Sequence, residues 1–223
     1  MAKKKTRLIL IGVVLAALVL AFLWWRIGNW ADQKQNTQLL LLVNAANPLE
    51  KEPNPDFALL DDGHMLDVRC SAPLEQMLAD ARAARHEVLV IEAYISRYEQ
   101  QALYDEKVEE LLSSGMDEEN ARTAAAQVVP PPGCSEHELG LAVDLADAEQ
   151  PELDAQQAAA PAQEWLRENS WRYGFILRYP ENGRAVTGVD YVPWHYRYVG
   201  QEAAGQIHEL GITLEEYLDM FYT

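Results

Sequence analysis

The sequence predicts an α+β fold, a small antiparallel sheet with surrounding helices, preceded by one N-terminal transmembrane helix. Amphipathic helical segments alternate irregularly with short strands, and this order does not fit a parallel doubly wound sheet. Residues 175–179 and 185–192 read as strands that flank Asn182-Gly183, a strong hairpin signal. The 223 residues, 49% of them hydrophobic, suit one ordinary domain with a short appendage.

The appendage is a basic and then apolar N-terminus. Lysines at positions 3–5 and Arg7 precede an uncharged apolar run over residues 8–25, which is just long enough to span a bilayer core. The run ends in aromatic residues that suit a membrane interface better than a signal-peptidase site. The basic residues should stay in the cytoplasm. We therefore expect a single-pass cell-membrane protein whose C-terminal domain is extracellular.

The chain is accordingly divided into four parts. Residues 1–7 form a cytoplasmic stub, 8–25 a signal anchor, 26–56 a polar stalk and 57–223 the folded domain. The stalk contains an apolar stretch over residues 39–43 that could pair with the domain's edge.

Helices and strands within the domain follow from periodicity and end signals. Ser71 and Pro73 begin a first helix, Asp117 is a plausible cap of a third, and Thr213 with Glu216 makes a capping box for the last. The other predicted elements are a strand at 88–91, a helix around 104–112, a strand at 141–146 and a helix at 161–173.

Composition excludes some classes of function. The chain carries 35 acidic against 18 basic residues, a net charge of -17, which would repel a phosphate backbone. We therefore expect no nucleic-acid partner. Two cysteines are too few for a disulfide-built scaffold. Cys70 and Cys134 could form a disulfide in an exported domain or remain free thiols, and Cys134 as a zinc ligand is a third alternative.

Two histidines and an aspartate suggest a metal site. His137 and Asp144 lie seven residues apart around a glycine, and His195 follows much later. Two imidazoles and a carboxylate can hold zinc with one open position. Alternation along the predicted strand turns Asp144 away from Val143 and Leu145, which can face the core.

The wider pattern resembles the VanY-type D-alanyl-D-alanine carboxypeptidases, members of a zinc peptidase superfamily that includes lysostaphin and the hedgehog signalling domain. The resemblance covers roughly residues 41–200. Its motifs are Ser135-x-His137-x-x-Gly140-x-Ala142-x-Asp144, Trp194-His195-Tyr196-Arg197-Tyr198-Val199-Gly200 and Tyr173-Gly174-Phe175-Ile176-Leu177-Arg178-Tyr179-Pro180.

The resemblance implies Zn²⁺ held by His137, Asp144 and His195, with water at the fourth position. It also implies a peptidoglycan stem peptide ending in D-Ala-D-Ala as substrate, with Ser135 as a substrate-binding residue. A local turn or helix cap is an equally good interpretation of Ser135.

Two motif positions depart from the family. The family's general-base Glu stands three residues before the last ligand, where this chain has Val192. Asp190, Glu92 and Glu136 are candidate replacements, although an acidic solvated surface also accounts for them. The family's Tyr-Arg-Ser motif is altered, since Ile95 occupies the arginine position and Arg97, two residues later, is a candidate substitute for binding substrate.

Two hypotheses about function therefore stand. The first is a membrane-anchored zinc D-alanyl-D-alanine carboxypeptidase that hydrolyses stem peptides with zinc-activated water. The second is a catalytically silent zinc-binding relative, lacking the base at Val192, that binds cell-wall peptide or a partner protein. They differ in whether a carboxylate reaches the attacking water.

Overall fold

The structure is a computed structural model that describes residues 38–222. A hairpin of two short strands packs beside a four-stranded antiparallel sheet, whose spatial order is β3-β4-β6-β5. The strands are β1 (Phe57–Leu59), β2 (Met65–Asp67), β3 (Val88–Glu92), β4 (Ala142–Asp147), β5 (Phe175–Tyr179) and β6 (Val192–Tyr198).

The helices surround this sheet and confirm the α+β class. They are α1 (Val68–Ala83), α2 (Arg97–Ser113), α3 (Glu118–Ala125), α4 (Pro161–Asn169), α5 (Arg184–Thr187), α6 (Gln201–Leu210) and α7 (Leu214–Phe221). Short 3₁₀ helices cover Glu136–Leu139, Ala155–Ala159 and Ser170–Tyr173. Asp117 caps α3 and Thr213 with Glu216 forms the capping box of α7, as the sequence predicts. Within residues 38–222, no helix has the length and apolar character needed to cross a bilayer.

The central strand β4 separates a buried apolar side from the functional side. Val143 and Leu145 are fully buried, whereas Asp144 between them is half-buried and faces the other way. This is the alternation that the sequence predicts, because successive side chains of a strand point to opposite faces. The core on the apolar side is built largely from aliphatic residues of β4, α1 and α4.

The predicted strand over residues 185–192 is wrong. Residues 184–187 form α5, and the strand begins only at Val192. Thr187 stabilises the turn because its hydroxyl donates to the Gly183 carbonyl at 3.1 Å, and its amide reaches the same oxygen at 2.9 Å. The Asn-Gly pair therefore precedes a helical turn and does not close a two-residue hairpin.

Two helix boundaries also differ from the sequence prediction. α1 begins at Val68 because Asp67 accepts a hydrogen bond from the Arg69 amide, so Pro73 lies inside the helix. The helix predicted over 161–173 ends as α4 at Asn169, and a 3₁₀ turn follows before Gly174.

Residues of the predicted stalk pack against the folded domain. The compact unit runs from Leu40. Val43 is fully buried and Leu40 nearly so, and Leu40 packs with residues of α6 and α7. The predicted anchor over residues 8–25 lies outside the described residues.

Candidate active site

Three chain segments bring the predicted ligands together. His137 lies in the 3₁₀ turn before β4, and Gly140 ends that turn with a φ of 68°, in the left-handed region that favours glycine. Asp144 and His195 are direct cross-strand partners on β4 and β6. Since cross-strand partners share a face, the two side chains project to the same side of the sheet.

The three side chains form a compact donor set. One ligand atom from each of His137, Asp144 and His195 lies within 4.8 Å of the others. Asp144 Oδ1 lies 2.7 Å from His195 Nδ1 and 3.3 Å from His137 Nε2. Both histidines are buried, each with 7% of its surface exposed. The donor set is that of a zinc site with an open position.

The outer nitrogen of each imidazole is also held. His137 Nδ1 lies 2.6 Å from the carbonyl oxygen of Ala93, and His195 Nε2 lies 3.3 Å from Oε2 of Glu136. Metal-ligating histidines almost always make such an outer hydrogen bond, which fixes the ring and its tautomer. The inner nitrogens, which face Asp144, are therefore the ones available to a metal ion.

Without a metal ion, the electrostatic interactions within the site favour the ionised forms of Asp144 and His195. Burial alone would raise the pKa of Asp144, but His137 and His195 outweigh it and hold that pKa well below its usual range. Burial would lower the pKa of His195, yet Asp144 and Glu136 raise it to about 9. A cation with several positive charges could take over this stabilising role for Asp144.

Val192 begins β6, three residues before His195. Its cross-strand partner is Tyr179, and an irregularity in the β5–β6 register lies between that pair and the next. The Tyr179 ring stacks on His195 with 5.3 Å between ring centroids, so Tyr179 lies on the ligand side of the sheet. Val192 is therefore paired with a residue that contacts His195. At the sequence position where the resemblance implies a general base, the chain has a hydrocarbon side chain.

The three candidate replacement carboxylates have different surroundings. Asp190 lies in the loop before β6, not on the strand as the sequence suggests, and its exposed carboxylate pairs with Arg184. Glu136 is buried and bound by two arginines. Glu92 ends β3 as the cross-strand partner of Asp144 and is half-buried.

Glu92 therefore extends the row of site residues across the sheet. Glu92, Asp144 and His195 are successive partners on β3, β4 and β6. Burial is the main cause that raises the pKa of Glu92, with Asp144 adding to it and His137 opposing it. Of the three candidates, Glu92 alone combines proximity to the ligands with a carboxylate not held by an arginine in the described structure.

Ser135 and Arg97 make local contacts. Ser135 caps the 3₁₀ turn, because its hydroxyl accepts the His137 amide at 3.3 Å, which matches its interpretation as a cap. Arg97 Nε donates to the buried carboxylate of Glu138 at 3.0 Å, and its Nη2 donates to the Leu49 carbonyl. Ile95 is buried. Substrate binding by Ser135 and Arg97 stays a prediction.

Both cysteines are free thiols. Cys70 is buried and its Sγ lies 3.1 Å from the Asp67 carbonyl oxygen, while Cys134 is half-buried. The alternative of a disulfide between them is therefore wrong for this structure. Cys134 does not belong to the three-residue donor set found within residues 38–222.

Two buried arginines beside the site were given no role by the sequence pattern. Arg178 and Arg197 are fully buried, and both donate to Oε1 of Glu136 at 2.8 Å. The signal that could have found them is an arginine between apolar residues of a buried strand, since a buried charge needs a partner.

Comparison with known proteins agrees with this geometry. The family model for VanY, D-alanyl-D-alanine carboxypeptidase, matches residues 63–201. A D-alanyl-D-alanine carboxypeptidase of Enterococcus faecalis is 41% identical over 181 residues, 81% of this chain and 65% of the relative. The chain thus spans slightly less than two thirds of that relative. The bifunctional D-Ala-D-Ala dipeptidase and carboxypeptidase VanXYC of Enterococcus gallinarum is 32% identical over 81% of this chain and 93% of its own length.

Solved structures show the same similarity. VanYB in complex with D-alanyl-D-alanine superposes with a TM-score of 0.73 at 40% identity, covering 82% of this chain and 98% of that one. A mutant VanY D,D-pentapeptidase from a VanB-type resistance cassette, in complex with Zn(II), gives 0.72 at 40% identity, covering 81% and 99%. Family model, relatives and fold agree, and the chain belongs to the VanY D-alanyl-D-alanine carboxypeptidase family.

Proposed function

We propose that this protein is a zinc-dependent D-alanyl-D-alanine carboxypeptidase that removes the terminal D-alanine of peptidoglycan stem peptides. The observation that carries the proposal is the convergence of His137, Asp144 and His195 on one face of the sheet. Membership of the VanY family supports the reaction class, and the D-Ala-D-Ala bound to the related VanYB supports the substrate class.

The residues present fit a zinc ion. His137 Nε2, His195 Nδ1 and Asp144 supply nitrogen and oxygen donors, and the outer nitrogen of each imidazole already has a hydrogen-bond acceptor. Bound zinc would lower the pKa of a water molecule and polarise the substrate carbonyl. The buried histidines and Asp144 supply the fixed donor positions that this requires.

Proton transfer needs a group other than residue 192. We assign it to Glu92, because the strand register places it next to Asp144 on the ligand face. Its carboxylate would take a proton from the attacking water and return it to the amine of the leaving D-alanine. Glu136 is unsuited to this role because Arg178 and Arg197 hold it as a buried anion.

The presence of Val192 at the expected position of the general base favours a second candidate function. In this second candidate, the protein is a silent zinc-binding relative that recognises cell-wall peptide. Loss of a general base typically costs roughly 10²- to 10⁴-fold in rate. The two relatives and the zinc-bound structure named above are described as peptidases, which supports the enzyme as the first candidate.

The membrane-anchored arrangement is part of the proposal. Residues 8–25 would cross the membrane and the domain would lie outside the cell, where its substrate is found. The basic residues at positions 3–5 and 7 support this orientation. Protease treatment of intact spheroplasts tests it, since an external domain should be digested while a cytoplasmic marker survives.

The deciding experiment measures D-alanine release from a synthetic stem peptide ending in D-Ala-D-Ala. Full-length protein in detergent would be loaded with zinc, with His137→Ala as the blank. Release above the blank that Glu92→Gln lowers by about 10²-fold or more supports both the activity and the role of Glu92. Release unchanged by Glu92→Gln would reject that role. No release by the natural chain, with zinc and peptide still bound, would support the silent relative.

A further inference from the structure

A chain of ion pairs joins the candidate metal site to the last helix. Glu136 Oε2 lies 3.3 Å from His195 Nε2, and its Oε1 accepts from Arg178 Nε at 2.8 Å. The other two guanidinium nitrogens of Arg178 donate to Glu215, Nη1 to Oε2 at 2.9 Å and Nη2 to Oε1 at 2.6 Å. All three guanidinium nitrogens of Arg178 therefore donate to one or the other of these two carboxylates.

The charges of the four ion-paired side chains balance. Glu136 and Glu215 carry two negative charges against the positive charges of Arg178 and Arg197, and Arg178, Arg197 and Glu136 are almost completely buried. Removing one member of a buried ion pair leaves the other charge uncompensated. Without Glu215, the two guanidiniums would share the single carboxylate of Glu136 and draw it away from His195.

Apolar contacts also dock the helix that carries Glu215. α7 also inserts Leu214, which is fully buried, and Tyr217, which is 4% exposed, into the apolar cluster that it shares with α6. The capping box of Thr213 and Glu216 fixes the start of the helix. A bidentate, part-buried bond from Glu215 to Arg178 therefore calls for a role beyond packing.

We propose that Glu215 is a positioning residue for the metal site: it fixes Arg178, which orients Glu136, which in turn holds His195 in the ring position that binds zinc. This inference rests on the proposed function, because it assumes that His195 is a zinc ligand. It also goes beyond the segment matched by the family model, which ends at residue 201. The last helix thereby becomes part of the site's supporting structure.

The test is zinc affinity, measured on full-length protein by competition with a chromophoric chelator. Glu136→Gln should weaken zinc binding by about 10- to 100-fold, the usual effect of removing an outer partner of a ligand. Glu215→Gln should weaken it by a smaller factor, about 3- to 10-fold, because it acts through two intervening groups. Glu209→Gln is the matched control, since Glu209 is an exposed residue of α6.

The double variant separates positioning from general structural damage. If Glu215 acts through Glu136, then Glu215→Gln adds no further loss of affinity in the Glu136→Gln background. Independent, multiplicative losses would overturn the proposal, as would a Glu215→Gln affinity equal to that of the natural chain. Circular dichroism reports whether each variant folds. Should Glu215→Gln fail to fold, Arg178→Lys takes its place in the same measurement, because a lysine keeps the charge but cannot bridge both carboxylates.

Failure of the proposed function would look different. A natural chain that does not bind zinc contradicts the metal site itself. Zinc binding by the natural chain together with an unaffected Glu215→Gln variant contradicts only the inference about the last helix.

Discussion

Glu136 holds the outer nitrogen of His195, with 3.3 Å between Oε2 and Nε2, while Asp144 lies 2.7 Å from the inner nitrogen Nδ1. The imidazole is thus enclosed between two carboxylates, one of which belongs to the donor set. In the metal-free protein this arrangement favours the protonated ring, although burial acts against it. A zinc ion must therefore displace a proton from His195 in order to bind.

The stability of the metal-free protein should consequently depend on the charge of His195. Its pKa is raised from the ordinary 6.5 to about 9, so the ring stabilises the fold most below pH 6.5 and this contribution is lost as the pH rises through about 9. We expect the free energy of unfolding, measured with urea, to fall over that window. His195→Gln is the control and should flatten the curve.

Zinc affinity should show the opposite dependence on pH. Bound metal requires the neutral ring, so zinc affinity should increase with pH below about 9 as the competing proton is lost. The chelator competition used above, repeated from pH 6 to 9, measures this. A zinc affinity independent of pH over that range would contradict the assignment of His195 as a ligand that is protonated in the metal-free chain.

A carboxylate at residue 192 should be able to replace the proposed base Glu92. Val192 pairs with Tyr179, whose ring stacks on His195, so a longer acidic side chain at this position would project towards the ligands. In the Glu92→Gln background, which lacks the proposed base, we expect Val192→Glu to raise the rate of D-alanine release by roughly 10²- to 10⁴-fold, the usual contribution of a general base. The rate of release under saturating zinc is the measurement.

Val192→Gln provides the matched control, because a glutamine side chain has the same shape as glutamate but carries no acidic group. Equal rates for the Glu and Gln variants would mean that residue 192 does not handle a proton here. A large gain with Glu alone would show that the remaining site is competent and that a carboxylate at residue 192 can act as the base.

The metal donors could be predicted from the sequence because local rules place them. A strand alternates its side chains, so Asp144 between two core residues had to face away from the core, and the glycine at 140 suits the left-handed turn after His137. The resemblance to the VanY-type carboxypeptidases supplied His195 as the third donor. The α+β class followed from helices and short strands that occur in irregular order.

The ion-pair chain could not be predicted in the same way. Glu136, Arg178 and Glu215 lie far apart in sequence, and each alone resembles an ordinary charged residue. Only the fold brings them together. The predicted strand over residues 185–192 was wrong for a related reason: Asn182-Gly183 permits a hairpin, but the hydrogen bonds of Thr187 to the Gly183 carbonyl select a helical turn.

The two thiols should react separately and at different rates. Burial raises the pKa of Cys70 to about 12 and, to a smaller extent, raises that of Cys134, which is less deeply buried. Because the thiolate is the reactive form, iodoacetamide at pH 8 should modify Cys134 first and Cys70 only after unfolding. Peptide mass spectrometry measures the order. Denatured, unreduced protein that shows no free thiol would indicate a disulfide and contradict the structure.

Gly174 should be among the least replaceable residues of the fold. Its φ is 87°, and a Cβ there would lie 2.7 Å from Cε2 of Tyr198 and 3.0 Å from backbone atoms of residues 200 and 201. Left-handed strain of about 1–2 kcal/mol and overpacking of about 1–3 kcal/mol should together make Gly174→Ala strongly destabilising. Gly211 has a φ of 64°, but no atom lies within 4 Å of the place where a Cβ would be added. The loss of stability in Gly211→Ala should therefore come from backbone strain alone. Urea unfolding of the two variants compares them directly, and equal losses would mean that the backbone near Tyr198 moves to accept the methyl group.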